Sequence, residues 1–98
     1  MNKTDIFNRV YLIKPITEGV FALYLAGVCQ EITSLYGEKY TVCEGEIPLL
    51  PAYEAALIHG IMYCHTTDAA YGAAYREARE SAYRAVWREY EKKRRKEA

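Results

Sequence analysis

The stretch DAAYGAAYREARESAYRAVWREYEKKRRK, residues 68–96, is the longest unbroken helical pattern in the chain. Its apolar residues recur every three or four positions, which predicts one helix from Asp68 to the early 90s, roughly 38 Å long at 1.5 Å per residue. One apolar stripe comprises Tyr71, Tyr75, Ala78, Ala82 and Val86, and a second, further along, comprises Tyr83, Trp87 and Tyr90. The i, i+4 spacing predicts ion pairs between Glu80 and Arg84 and between Glu89 and Lys93. Because the other predicted helices are shorter, we expect the end of this helix to project beyond the body.

A long apolar helix is predicted from Glu18 to Tyr36, with Gly37 as its C-terminal cap. Apolar residues occupy most of its circumference as far as Cys29, so we expect it to be the most buried element. The side chains expected in its core stripe are Val20, Leu23, Tyr24, Gly27, Val28, Ile32 and Leu35. The small Ala26–Gly27 pair would let another backbone approach closely.

Two shorter helices are predicted on either side of it. The first covers residues 5–13, with Thr4 as its cap and Pro15 as its end, because a residue before proline avoids helical angles. The other starts at Pro51, where a missing N–H costs nothing, and stops before a break at residues 65–68. Its expected apolar face consists of Tyr53, Leu57, Ile61 and Cys64, widened by Ala56 and Ile58.

A β-hairpin is predicted between the second and third helices. Residues 40–43 alternate as a strand does, Glu44–Gly45 resembles a tight turn, and residues 46–49 form a returning edge strand that contains Pro48. The predicted fold class is therefore mainly α: about four helices, a small β-hairpin and a long C-terminal helix. Residues 1–91 make a single helical domain, and residues 92–98 make a basic tail that continues the last helix.

Composition restricts the class of protein. A chain of 98 residues makes one domain, and its hydrophobic fraction of 51% argues against disorder. Cys29, Cys43 and Cys64 cannot all pair within the chain, and with no leader-like N-terminus this predicts a reduced, cytosolic protein. No apolar run approaches the roughly 18 residues that span a bilayer. Ten tyrosines against two phenylalanines and one tryptophan suit either an interface or a small core whose aromatics reach the surface.

The charges are segregated although they sum to zero. Residues 15–75 contain one basic residue, Lys39, and seven acidic residues, whereas residues 84–98 are strongly basic. Three interpretations of the basic end remain open. It is a solvated helix terminus, a contact to a groove on another protein with Trp87 and Tyr90 as anchors, or a phosphate contact to nucleic acid.

No pattern for catalysis, a cofactor or a metal is present in the sequence. The only histidines, His59 and His65, stand at poor spacings from Cys64 for a thiol–imidazole pair, since adjacent helical residues point about 100° apart. A zinc site needs about four ligands at short paired spacings, which the scattered cysteines and histidines do not supply. Ser34 and Ser81 both lie inside helical patterns rather than in a nucleophile elbow. We therefore expect a protein that is not an enzyme.

The stretch YTVCEGEIPLLPAYEAALIHGIMY, residues 40–63, resembles the second half of the head–tail adaptor (connector) proteins of tailed bacteriophages. The resemblance lies in an Ile-Pro-x-Leu-Pro-like turn before a helix that starts Tyr-x-x-Ala-Leu. It continues in a break around Asp68 and a last helix with spaced tyrosines. It covers residues 18–91, while the first helix is shorter than in such proteins.

The resemblance implies a structural role in the virion neck. Such adaptors form a ring, commonly of twelve copies, that joins the portal to the next neck or tail protein and extends the DNA channel without binding DNA specifically. Before assembly such a subunit is in the host cytoplasm. The implied partner-binding residues are Tyr83, Trp87, Tyr90, Lys92, Lys93, Arg94 and Arg95. Glu44 and Glu46 would face the channel or a neighbouring subunit. The alternative is a small cytosolic nucleic-acid-binding or regulatory protein that acts through its basic C-terminal helix.

Overall fold

The computed structural model describes residues 3–37, 43–44, 47–48 and 51–97. Within them four α-helices account for nearly all of the secondary structure. They are α1 (Lys3–Ile13), α2 (Glu18–Tyr36), α3 (Glu54–Thr66) and α4 (Ala69–Glu97), and a 3₁₀ turn (Pro51–Tyr53) leads into α3. The predicted count of helices and the long C-terminal helix are confirmed.

Local signals at the ends of α2 explain why its predicted bounds are confirmed. The Thr17 side chain accepts a hydrogen bond from the backbone N–H of Val20 at 3.3 Å, which satisfies one donor of the first turn. Gly37, at φ 82°, donates its N–H to the carbonyl of Thr33 at 2.8 Å. Thr4, predicted to cap α1, lies inside that helix instead, so this prediction is wrong.

The predicted β-hairpin is wrong as a part of the fold class, because helices form nearly all of the structure of the described residues. Backbone pairing between helices α2 and α3 is confined to two residues on each side, β1 (Cys43–Glu44) antiparallel to β2 (Ile47–Pro48). The other residues of the predicted hairpin lie outside the described part of the chain. A two-stranded ribbon this short, with a proline that lacks a donor, cannot add a sheet layer to the fold.

The core lies where α1, α2 and α4 surround α3. Its largest fully buried side chains are Tyr53, Phe21, Ile6, Leu25, Ile32, Leu57, Ile61, Met62 and Val10. The face predicted for α3 is confirmed at Tyr53, Leu57 and Ile61, whereas Cys64 is exposed. Gly60 permits this close packing, because a Cβ there would approach Val28 and the Tyr75 ring to 3.0 Å.

The face predicted for α2 is partly wrong. Val28 and Ile32 are buried as expected, but Leu23 is 69% exposed and Leu35 is 53% exposed. Phe21, Leu25 and Cys29 are buried in their place. The helix is apolar on more than one face, so periodicity alone did not show which side meets the core.

Helix α4 runs the length of the molecule. Its 29 residues give about 43 Å at 1.5 Å per residue, close to the longest dimension of 48 Å. Ala82 is its last buried hydrophobic residue, and Val86 is the last that packs partly buried on the core. From Trp87 onward no described hydrophobic residue of α4 packs on the buried core, although Tyr90 is half-buried.

Two ion pairs join the acidic body to basic residues elsewhere in the fold. Arg9 on α1 contacts Glu54 at 2.6 Å, and Arg79 on α4 contacts Glu31 at 2.7 Å. Acidic and basic residues that are separated along the sequence are therefore partly paired in the folded protein. Among the described residues no single helix is long and apolar enough to cross a membrane, and α1 with α2 meets that test only as a pair bent by 111°.

Candidate functional site

The outer half of α4 is the candidate site that the sequence predicted. The Glu80–Arg84 pair is present, with 3.6 Å between Arg84 Nε and Glu80 Oε1. Glu89 pairs with Lys92 at 3.6 Å rather than with Lys93, so that prediction is wrong. These pairs are well exposed and each contributes at most about 1 kcal/mol. They favour the helical state of the segment without fixing it to the body.

The predicted aromatic stripe divides into an inner and an outer part. Tyr83 is half-buried and packs edge-to-face on Tyr36 of α2, with ring centroids 4.4 Å apart. Trp87, one turn further, is 44% exposed. Tyr90 is half-buried. Tyr83 therefore packs α4 onto α2, whereas Trp87 is the exposed aromatic side chain of α4.

A shallow groove of about 360 Å³ lies beside Trp87. Its walls are Glu80, Tyr83, Arg84 and Arg88, so an apolar ring is bordered by two guanidinium groups and one carboxylate. Trp and Arg are the residue types most enriched at the centres of protein interfaces. The groove thus has the composition of an interaction site.

The basic run at residues 92–96 is helical and exposed. Lys92 pairs with Glu89, and Arg94 pairs with Glu91 at 3.8 Å. In the described part of the chain, Lys93, Arg95 and Lys96 have no ion-pair partner. Of the predicted partner-binding cations, Lys93 and Arg95 are therefore available to a partner without breaking an internal pair.

The two carboxylates predicted to face a channel or a neighbouring subunit are not placed. Glu46 lies outside the described residues, and only the backbone of Glu44 is described, in β1.

Sequence reasoning missed a polar network between α2 and α4. Glu31 Oε1 accepts a hydrogen bond from the Tyr75 hydroxyl at 2.6 Å and another from Arg79 Nη1 at 2.7 Å. The Arg79 guanidinium also lies 4.8 Å from the centroid of the Tyr75 ring. Burial, reinforced by the hydrogen bond to Glu31, raises the pKa of Tyr75. The i, i+4 spacing of Tyr75 and Arg79 was a local signal, but their partner is 44 residues or more away in sequence.

The histidines and Cys64 do not converge. His65 Nε2 lies 3.0 Å from the carbonyl oxygen of Pro15, which ties the end of α3 to the α1–α2 connection. His59 faces Tyr71 with ring centroids 6.3 Å apart, and its Nδ1 is buried with no hydrogen-bond partner in the described residues. Burial, with a further effect of the Glu31 charge, raises the pKa of the Cys64 thiol. Within the described ranges no group of three or more His, Cys, Asp or Glu side chains is placed to hold a metal ion.

No protein-family model, curated protein or solved structure matches the chain. The likeness to head–tail adaptors therefore rests on the order of turn, helix and tyrosine spacings in residues 18–91.

Proposed function

We propose that the chain is a non-catalytic structural subunit of a phage virion neck. In this role it assembles into an oligomeric ring that joins the portal to the next neck or tail protein and extends the DNA channel. It docks on its partner through the outer half of α4. The observation that carries the proposal is the 44% exposure of Trp87 on a helix that continues past the core.

The chemistry of that segment suits a protein partner. Trp87 can bury a large rigid ring in a partner's pocket, while Arg84 and Arg88 beside it can bond to carboxylates at the rim. A helix presented in this way is a common means of protein recognition, in which side chains at i, i+3 and i+4 enter a groove. The inner part of α4 is fixed by Tyr83 and Tyr75, so the exposed part is held ready for binding.

One observation favours a second candidate, binding of nucleic acid through the helix end. Lys93, Arg95 and Lys96 are exposed and have no ion-pair partner in the described residues. Phosphate contacts by such cations release counterions, so binding through them weakens steeply with salt. When the Trp87 ring becomes buried in a protein partner, the affinity depends much less on salt. The two functions therefore differ in their salt response.

The test is capture of partners by the tagged chain from a lysate that produces the native particle. It is run at low and high salt, with identification by mass spectrometry and negative-stain imaging. The matched variants are Trp87→Ala and Tyr11→Ala, since Tyr11 is a similarly exposed aromatic (49%) on α1.

A portal-like protein in ring-shaped complexes supports the proposal if it persists at high salt, is lost with Trp87→Ala and is kept with Tyr11→Ala. Recovery of nucleic acid alone, lost at high salt, would contradict the adaptor function and support the second candidate. Equal loss with both variants would contradict the assignment of Trp87 as the docking residue.

A further inference from the structure

A cleft of about 340 Å³ lies where α2, α3 and α4 meet. Arg76, on its α4 wall, is about 16 Å from Trp87 along the helix at 1.5 Å per residue. Each of the three helices contributes a glycine to its walls: Gly27, Gly60 and Gly72. Small-molecule sites in proteins usually occupy about 300–1,000 Å³ and combine apolar walls with a few polar groups. The cleft falls at the lower end of that range.

One of the three glycines opens onto unfilled space. A Cβ at Gly60 would meet Val28 and Tyr75 at 3.0 Å, and one at Gly72 would meet the Tyr63 ring at 2.7 Å. At Gly27 a Cβ would meet nothing within 4 Å. Two glycines are thus explained by close packing of the helices, whereas Gly27 is exposed and leaves the α2 side of the cleft open.

The polar groups of the cleft carry one excess positive charge. Glu31 is neutralised by Arg79, whose guanidinium is held by that ion pair and over the Tyr75 ring. Arg76, one turn before Arg79, is exposed and has no ion-pair partner among the described residues. Because burial raises the pKa of the Cys64 thiol, this side chain adds no negative charge at neutral pH.

We propose that this cleft binds a small organic carboxylate with an apolar body, such as an aryl or branched-chain acid. The carboxylate pairs with the guanidinium of Arg76, which can donate two parallel hydrogen bonds to it. The apolar body lies over Gly27, where no side chain is in the way, against Val28 and the Tyr63 ring. A single unpaired cation and apolar walls suit a monoanion better than a phosphate, whose second charge would stay unpaired. This site is separate from the docking surface at Trp87 and does not depend on it.

The first experiment is an NMR titration of the full, ¹⁵N-labelled chain with phenylacetate. Its isosteric neutral partner phenylacetamide and inorganic phosphate serve as comparison probes. We expect phenylacetate to shift the amide signals of Gly27, Gly60 and Gly72 saturably, with a Kd of about 1 mM for so small a ligand. Phenylacetamide should bind about tenfold more weakly, because it lacks the charge-assisted hydrogen bonds. Phosphate should give no saturable shift at these glycines.

Variants then test which residue binds the carboxylate of the ligand and which residue lies beside its apolar body. Arg76→Gln should weaken phenylacetate about tenfold and leave phenylacetamide unchanged, while Lys14→Gln, which removes an exposed cation outside the cleft, should change neither. Gly27→Leu should abolish binding of both, because it places a bulky side chain on the open wall of the cleft. Because leucine is also a better helix former than glycine, the melting temperature of the Gly27→Leu variant should not fall.

A second readout needs no amide assignments. Saturating phenylacetate should slow alkylation of Cys64 by iodoacetamide, since the thiol lines the same cleft. Equal affinity for the acid and the amide would overturn the proposal. So would an unchanged Kd in Arg76→Gln, or the lack of any saturable shift at the three glycines.

Discussion

The phenol ring of Tyr83 stands edge-on to the ring of Tyr36, with the centroids 4.4 Å apart and the planes inclined by 75°. The Tyr36 hydroxyl in turn donates a hydrogen bond to Glu80 Oε2 at 3.0 Å, three residues before Tyr83 on α4. The end of α2 is therefore fastened to the middle of α4 by one ring contact and one hydrogen bond. Tyr83, which the sequence grouped with the docking residues, thus also packs α4 onto α2.

This contact predicts opposite outcomes for two neighbouring aromatics. Tyr83→Ala should lower the free energy of unfolding by about 2 kcal/mol, since it removes an aromatic pair and leaves a gap between helices. Trp87→Ala should lower it by less than about 1 kcal/mol, because the ring is 44% exposed. Urea unfolding followed by circular dichroism gives both values, with Tyr83→Phe as the control that keeps the ring. A larger loss for Trp87→Ala than for Tyr83→Ala would contradict this division of the stripe.

Glycine-to-alanine substitutions should also have opposite signs on two helices. At Gly60 the new methyl group would press on Val28 and Tyr75, which are 4% and 6% exposed and have little room to move. We expect a loss of about 1–3 kcal/mol of stability there. At Gly27 the methyl group meets nothing, so the better helix propensity should stabilise the protein by about 0.5–1 kcal/mol. Thermal melting of the two variants checks the sign of each, and a stabilised Gly60→Ala would show that the α2–α3–α4 packing is looser than described.

The helices were predictable because their signals are local. The bounds of α2 followed from Glu18 and Gly37, and the break before α4 followed from the run at residues 65–68. The face of α2 that is buried could not be predicted from a local signal. Leu23 and Phe21 are equally apolar, and only the position of α3 and α4 against α2 decides that Phe21 enters the core while Leu23 stays 69% exposed.

The candidate sites also divide into features with a local signal in the sequence and features that depend on distant residues. Trp87 was predictable, since a helix longer than its neighbours must expose its end. The Glu31–Tyr75–Arg79 network was not, because its hydrogen bonds join residues 44 and 48 positions apart in sequence. The cleft was not predictable either, because its walls come from three different helices. The β-hairpin was overpredicted, because alternation and β-branched residues suit a half-buried sheet surface, whereas strand pairing in the described residues is confined to Cys43–Glu44 and Ile47–Pro48.

Thr67 offers a prediction that concerns the backbone. It ends α3 in the left-handed region, with φ 57° and ψ 19°, where a β-branched residue is strained and glycine is not. Thr67→Gly should therefore stabilise the protein by up to about 1 kcal/mol, measured as a rise in melting temperature. Loss of the 2.6 Å hydrogen bond from the Thr67 hydroxyl to the carbonyl of Thr66 opposes this gain, and Thr67→Asn tests the conformational effect with a polar side chain. Lower melting temperatures in both variants would contradict the strain argument.

The buried hydroxyl of Tyr75 makes stability depend on pH in the alkaline range. Burial, followed by the hydrogen bond to Glu31, raises the pKa of Tyr75 in the folded chain above its unfolded value of 10.0. Above about pH 10 the folded state thus holds a proton that the unfolded state releases, and the free energy of unfolding falls as pH rises. Below the unfolded pKa the contribution of the neutral hydroxyl is fully present. Burial raises the pKa of Tyr36 as well, with the same sign of effect.

Replacing Tyr75 with phenylalanine separates this titration from that of the lysines, which both proteins share. Near pH 8 Tyr75→Phe should be less stable than the parent chain, because Glu31 loses a 2.6 Å hydrogen bond. Between pH 10 and pH 11.5 only the parent chain loses the Tyr75 contribution, so the difference in melting temperature between the two should shrink. Circular dichroism melts at several pH values across this range measure that difference directly. A gap that stays constant would mean that folding does not raise the pKa of Tyr75, and a gap that widens with pH would mean that folding lowers it. Either result would contradict the hydrogen bond to Glu31 as the cause of a raised pKa.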